Sequence, residues 1–267
     1  MSGFHVVAGA NETFTRPAIR RLSFADLRTA LRLGLEDFFE KPSHYVFLCL
    51  IYPVAGLVLS AWMTGANILT LLFPLMSGFA LVGPVAAIGL YEISRRREAG
   101  MDTSWWHAFD VRHSPALPSI IGVAAWLLGL FVAWLLTAQA IHAAHFGDTQ
   151  PQGLADMVQM MLATQAGRSV MLWGNLAGLG FAVLVLATTV VAFPLLLDRD
   201  TGALAALDTS VRVTLANPVP VAGWGLIVAG LLVIGTVPFF AGLAVVLPVL
   251  GHATWHLYRR AVAEEAG

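Results

Sequence analysis

Residues 89–100 read GLYEISRRREAG. An apolar run ends here, and Glu92, Arg95, Arg96 and Arg97 follow at once. Charge that returns this abruptly marks the point where a chain leaves a bilayer. Its sign reports the side, because segments rich in Lys and Arg stay in the cytoplasm. The triplet therefore predicts a cytoplasmic exit, and the rest of the chain can be threaded from it.

The composition requires such threading. Of 267 residues, 58% are hydrophobic and only 12% are charged, and the mean hydropathy is +0.76. Soluble domains carry about 25% charged residues, so a chain this apolar needs lipid as its solvent. The net charge of −1 gives no basis for a nucleic-acid partner. The lone cysteine, Cys49, excludes an internal disulfide and any multi-cysteine metal site. The first 22 residues lack the basic-then-apolar order of a cleavable signal and read as a cytoplasmic tail.

The fold class expected is an all-α polytopic membrane protein with six transmembrane helices in three hairpins. The spans fall at about 44–62, 68–91, 119–141, 170–197, 219–236 and 239–257, within a single membrane domain, 23–260, followed by a short tail, 261–267. The last pair is split at Thr236-Val237-Pro238, with a re-entrant pair of half-helices as the alternative. This threading leaves only Arg168 of the 15 Lys and Arg residues on the outer side. It places both termini in the cytoplasm.

Three amphipathic stretches precede the hairpins. In 23–40, Phe24, Leu27, Leu31, Leu35 and Phe38 recur at helical spacing, Ser23 with Asp26 resembles a capping box, and Pro42 stops the helix. The second stretch carries Trp105, Trp106 and Phe109, and the third, GALAALDTSVRVTLANP, ends at Pro218. Such helices belong at the inner membrane–water interface. The outer loop predicts one more short amphipathic helix around Leu154–Leu162.

The run GPVAAIGLYEISRRREAG, with Pro84, Gly89, Tyr91, Arg95, Arg96 and Gly100, resembles the signature of a bacterial integral-membrane family catalogued as domain of unknown function 2189. GLEDFFEKP near the N-terminus and PVLGHATWHLYRR near the C-terminus are similar to it too. The resemblance implies a polytopic inner-membrane protein and no particular activity.

Candidate chemistry is sparse. His252 and His256, four apart on one helix face, have the spacing of a metal or haem ligand pair. Trp255 and Tyr258 beside them favour an interfacial aromatic belt, and no metal or cofactor is expected. No histidine lies at mid-span, which excludes a haem–copper catalytic subunit. No Asp, Glu, Lys or Arg lies near the centre of a span, which argues against a proton-coupled pump. Glu92 and Arg96 form an i,i+4 pair, and Asp198 reads as a solvated cap. Arg95, Arg96, Arg97, Trp105, Trp106 and Trp255 are candidates for lipid-headgroup contact.

Gly174 and Gly178 form a GxxxG around Asn175, and Gly223 and Gly230 smooth the fifth span. These are candidate helix-contact residues. No phosphate loop, nucleophile elbow or HExxH motif occurs. The expectation is a non-enzymatic accessory subunit or organiser whose partners are membrane lipids and other membrane subunits. The alternative is a channel or carrier for a small, weakly charged solute or lipid, suggested by Pro53, Pro74, Pro84, Pro194 and Pro248 within spans.

Overall fold

The computed structural model describes residues 17–40, 74, 81, 83–147, 149–237 and 242–263. The span expected at 44–62 lies outside the described residues, as does much of 68–91. Among the described residues 83% are helical and none forms a strand, which establishes the all-helical class.

The helices in chain order are α1 Phe24–Glu40, α2 Gly83–Ala86, α3 Ile88–Glu98, α4 Leu117–Phe146, α5 Leu154–Ala163, α6 Gln165–Thr189, α7 Ala192–Asp198, α8 Ala203–Ala216, α9 Pro218–Thr236 and α10 Leu243–Ala261. A 3-10 helix, Trp105–His113, lies between α3 and α4. Among the described residues three segments are long and apolar enough to cross a membrane: Leu117–Phe146, Gln165–Asp198 and Pro218–Thr236. At 1.5 Å per residue each covers close to 30 Å or more, the thickness of the hydrocarbon layer. α10 is not among them.

Local chemistry sets the helix ends. The Ser23 amide donates to Asp26 Oδ2 at 2.9 Å and the Asp26 amide to Ser23 Oγ at 3.3 Å, so the expected capping box opens α1. The quoted stretch ends α3 in a Schellman turn. Gly100 takes φ +66°, its amide donates to the Arg97 carbonyl, and Met101 N–H donates to the Arg96 carbonyl. Thr164 caps α6 by accepting from the Gly167 amide at 2.8 Å. Pro218 occupies the first turn of α9, where no N–H is needed. The break between the last two helices falls where the sequence places it, with α9 ending at Thr236.

The span read as one helix over 170–197 is interrupted at Val190 and Val191, between α6 and α7. Pro194 cannot donate to the Val190 carbonyl and its ring crowds that position. Polar side chains of α8 take the groups freed there. The Val191 amide donates to Ser210 Oγ at 3.1 Å, and Thr214 Oγ1 donates to the Ala187 carbonyl at 3.4 Å.

The chain forms two compact units, one of residues 1–50, 84–125 and 186–267 and the other of 51–83 and 126–185. In the first, α10 is the spine and α1 lies along it. Leu27, Ala30, Gly34 and Phe38 are the buried apolar face of α1. A Cβ on Gly34 would sit 2.5 Å from the Ala253 backbone nitrogen, so this crossing requires glycine. Phe24, Leu35 and Phe39, on the other side of α1, are exposed. The expected apolar face is thus split: Leu27 and Phe38 pack inward, while Phe24 and Leu35 turn outward.

Residues 17–22 are no free tail. Ile19 pairs antiparallel with Val262. Buried Asn217 accepts the Leu22 amide at 2.7 Å and donates to the Arg20 carbonyl at 3.1 Å. In the second unit Trp134 is the anchor. It is buried, donates from Nε1 to the Pro74 carbonyl at 2.9 Å and packs on Phe181. The short amphipathic helix expected in the outer loop is α5.

Candidate functional site

The polar chemistry of the first unit converges on one carboxylate. Asp37 sits on the small-residue face of α1, one turn beyond Gly34, and its side chain is only 1% exposed. Ser94 of α3 donates to Asp37 Oδ2 at 2.5 Å, and His256 Nε2 of α10 lies 2.9 Å from the same oxygen. The Arg97 guanidinium bonds Asp37 Oδ1 and also reaches Glu40. Behind Ser94, His252 Nδ1 lies 2.7 Å from the serine oxygen, with its ring fully buried. Three helices are therefore joined by a single side-chain chain.

The electrostatics fix the direction of each bond. Burial alone would raise the Asp37 pKa. Hydrogen bonds from His256 and Ser94 and the charge of His256 outweigh it and hold the carboxyl below its ordinary value of 3.8. An ionised carboxylate has no proton to give, so Ser94 donates to Asp37. Ser94 Oγ then accepts from His252, which carries its proton on Nδ1. This order is Asp–Ser–His. In a nucleophilic triad the imidazole lies between serine and aspartate and removes the serine proton. Here the imidazole donates to the serine, so the arrangement fixes the hydroxyl in place and does not activate it.

The arginine triplet fans into the same framework. Arg95 grips buried Glu92 with both ends of its fork, Nε to Oε2 at 2.7 Å and NH2 to Oε1 at 2.8 Å. Arg96 bonds Asp110 at 3.2 Å and the Asp102 carbonyl at 2.8 Å, and stands 3.7 Å from Glu92. Asp110 in turn receives His107 Nδ1 at 2.6 Å. Arg95, Arg96 and Arg97, for which lipid-headgroup contact is expected, are each matched by a carboxylate of the chain itself. The sequence names Arg96 as the partner of Glu92, but the better geometry belongs to Arg95, because an i,i+3 guanidinium meets both carboxylate oxygens.

Further along α10, Trp255 is buried and donates to Glu98 Oε2 at 2.8 Å, and Arg259 reaches the other oxygen at 2.9 Å. Tyr258 donates to Asp198 Oδ2 at 2.5 Å, and Arg260 closes on Asp26 of α1 at 2.8 Å. Trp255 and Tyr258 are therefore core residues and not belt residues, and Asp198 is a tether and not a solvated cap. His252 and His256 share a helix face as expected, but both are committed to the Asp37–Ser94 chain. Among the described residues no group of three or more His, Cys, Asp or Glu is placed to hold a metal ion.

Trp105, Trp106 and Phe109 do expose their rings, stacked edge to face. Of the small-residue candidates, Gly178 and Gly223 mark real close approaches. A Cβ at Gly178 would lie 3.2 Å from the Trp134 ring, and one at Gly223 would lie 2.9 Å from Phe24. Among the described residues a Cβ at Gly174 or Gly230 meets nothing within 4 Å. Asn175 is exposed, and its Nδ2 donates to the Met171 carbonyl of its own helix at 2.7 Å.

Asp37, Ser94 and Asn217 were not singled out from sequence. The available signal was the face Leu27, Ala30, Gly34 and Phe38, where small residues flank a carboxylate. Weighting the large apolar positions hid it.

Residues 71–198 match the family model described as "Predicted integral membrane protein (DUF2189)". The resemblance read from the sequence is shown for that part of the chain. The matched segment holds Glu92, Ser94 and the arginine triplet, together with α4 to α7. Asp37, His252 and His256 lie outside it. No curated protein and no solved structure matches the chain.

Proposed function

We propose that this membrane-integral chain is a non-enzymatic component of a membrane assembly, seated in a bacterial inner membrane and acting through helix and lipid contacts. The observation that carries this reading lies on α6. Leu172, Leu176, Leu179 and Val183 are all exposed and follow one another at steps of four, three and four. That is the spacing of a seam that receives a second helix. Asn175 stands exposed beside them. An amide in lipid is costly unless a neighbouring helix bonds it, and its carbonyl oxygen is suited to accept from such a helix.

The hub of the first unit supports the same reading. Its charges are spent on one another, and its serine proton is committed to a carboxylate. The six-span threading with both ends in the cytoplasm is supported by the pairing of residues 18–20 with 261–263, which brings the two terminal segments to one place. The interrupted helix at Val190–Val191 is what a carrier would exploit. Ser210 and Thr214 already occupy its freed groups, which favours packing.

The test is extraction of the native protein in a gentle detergent or polymer disc, followed by mass measurement of the intact particle. A stoichiometric second chain is expected, and Asn175→Leu together with Leu176→Ala should reduce its recovery at least severalfold. Recovery of this chain alone, as a monomer, would sink the reading.

A further inference from the structure

We infer that the corner where α8 turns into α9 is a binding site for the headgroup of an anionic phospholipid, with its acyl chains lying against the start of α9. The corner is built by Asn217, which ties residues 20–22 to the end of α8. This bond brings Arg20 and Arg21, near the start of the described chain, beside Arg212 of α8. The Arg21 guanidinium donates to the Ala216 carbonyl at 2.5 Å, and Arg212 donates to the Pro17 carbonyl at 3.4 Å. Among the described residues both are held at the corner through one nitrogen, which leaves further donors of the fork for a ligand.

The cations here differ from those of the hub. Arg95, Arg96 and Arg97 are matched by carboxylates, whereas Arg21 and Arg212 are anchored on backbone carbonyls that carry no neutralising charge. Asp26, the acid nearest in sequence to Arg20 and Arg21, is bonded to Ser23 and Arg260. With Asp208, the acid four residues before Arg212 on α8, counted against them, the three cations Arg20, Arg21 and Arg212 still leave a positive sum that an acidic group can meet.

The apolar half of the site follows directly. Leu215 is 74% exposed, Val219 65% and Leu226 75%. Val219 and Leu226, seven residues apart, lie on one face of α9, and Leu215 is exposed at the end of α8, next to the corner. Only 17% of the α9 apolar window is buried within the chain. Cationic donors at the mouth of a membrane helix, with a greasy track leading away from them, complement a phosphate headgroup and its tails. A soluble anion would use the first feature and leave the second unused.

This inference rests on the chain being membrane-integral and is independent of the partner seam on α6, so each can fail alone. The test is native mass spectrometry of the delipidated full chain titrated with phosphatidylglycerol or with phosphatidylcholine of the same acyl chains. The wild-type chain is expected to bind the anionic lipid at least tenfold more tightly. Each basic residue near anionic lipid is worth a factor of about five. The Arg20→Gln/Arg21→Gln/Arg212→Gln variant should therefore lose on the order of a hundredfold.

The charge-keeping triple Lys variant should retain most of the binding, and Arg112→Gln, which removes an exposed arginine elsewhere, should retain all of it. If the triple Gln variant does not fold, salt decides. Raising it from about 0.1 M to 1 M shortens screening from ~10 to ~3 Å and should abolish the wild-type preference. No preference for the anionic lipid, equal binding by the triple Gln variant, equal loss in Arg112→Gln, insensitivity to salt, or competition by inorganic phosphate would each overturn the inference.

Discussion

Replacing Asp37 by alanine tests whether the hub holds the first unit together. Ser94 is as buried as Asp37 and would lose the acceptor for its hydroxyl where water does not reach, at a cost of about 1–3 kcal/mol. The His256 side chain is 14% exposed and Arg97 36%, so both can recover part of their hydration and add about 1 kcal/mol each. The sum, about 3–5 kcal/mol, is what breaking a buried ion pair from one side typically costs. For a unit of this size it should lower the midpoint of thermal unfolding in detergent by on the order of 10 °C. Deuterium exchange should rise first in α1, because Asp37 is the polar tie between that helix and both α3 and α10. The carboxyl is held below its ordinary value of 3.8, so its contribution is complete above that value and is lost as pH falls through the lowered one. The gap between wild type and Asp37→Ala should therefore close in strong acid. A midpoint within about 2 °C of wild type, with α1 protected as before, would refute the reasoning.

Gly34→Val should be more disruptive than Gly34→Ala, and both should expose α1 to protease, because the new Cβ meets the Ala253 backbone at 2.5 Å and backbone cannot move aside. Overpacking of this kind costs about 1–3 kcal/mol or more, read as a lower unfolding midpoint. Asn217→Ala removes the acceptor of a buried amide and the donor to Arg20, and should cost about 2–3 kcal/mol. Its signature should be faster exchange at residues 17–22, with α5 and α6 unchanged.

What was legible in the sequence is what periodicity and short range encode. The Ser23–Asp26 capping box, the break after Thr236 and the apolar helices Leu117–Phe146 and Pro218–Thr236 all depend on residues within a few positions of one another. The hub does not. Ser94 meets Asp37 across 57 positions, and His256 meets it across 219, separations that no helical repeat records. The charges near Arg95–Arg97 show the same limit. Their number predicted a boundary, but their partners Asp37, Glu40 and Asp110 are set by packing.

α10 explains why the last span was the hardest to read. Its first part, Leu243–Leu250, is apolar like a membrane segment. Its second part carries His252, Trp255, His256, Tyr258, Arg259 and Arg260, each with a partner on α1, α3 or α7. A hydropathy window averages the two parts and scores neither. The polar half is amphipathic on all sides because it is surrounded by protein, and a residue surrounded by protein can be polar wherever a partner faces it. The histidines and tryptophan that look like an interfacial belt by composition are therefore the centre of a core. The exposed aromatics, Trp105 and Trp106, sit on the 3-10 helix that follows the arginine triplet. What separates core from belt is packing with the indole N–H satisfied inside the protein: Trp255 is buried and bonded to Glu98, whereas Trp105 and Trp106 leave their rings exposed.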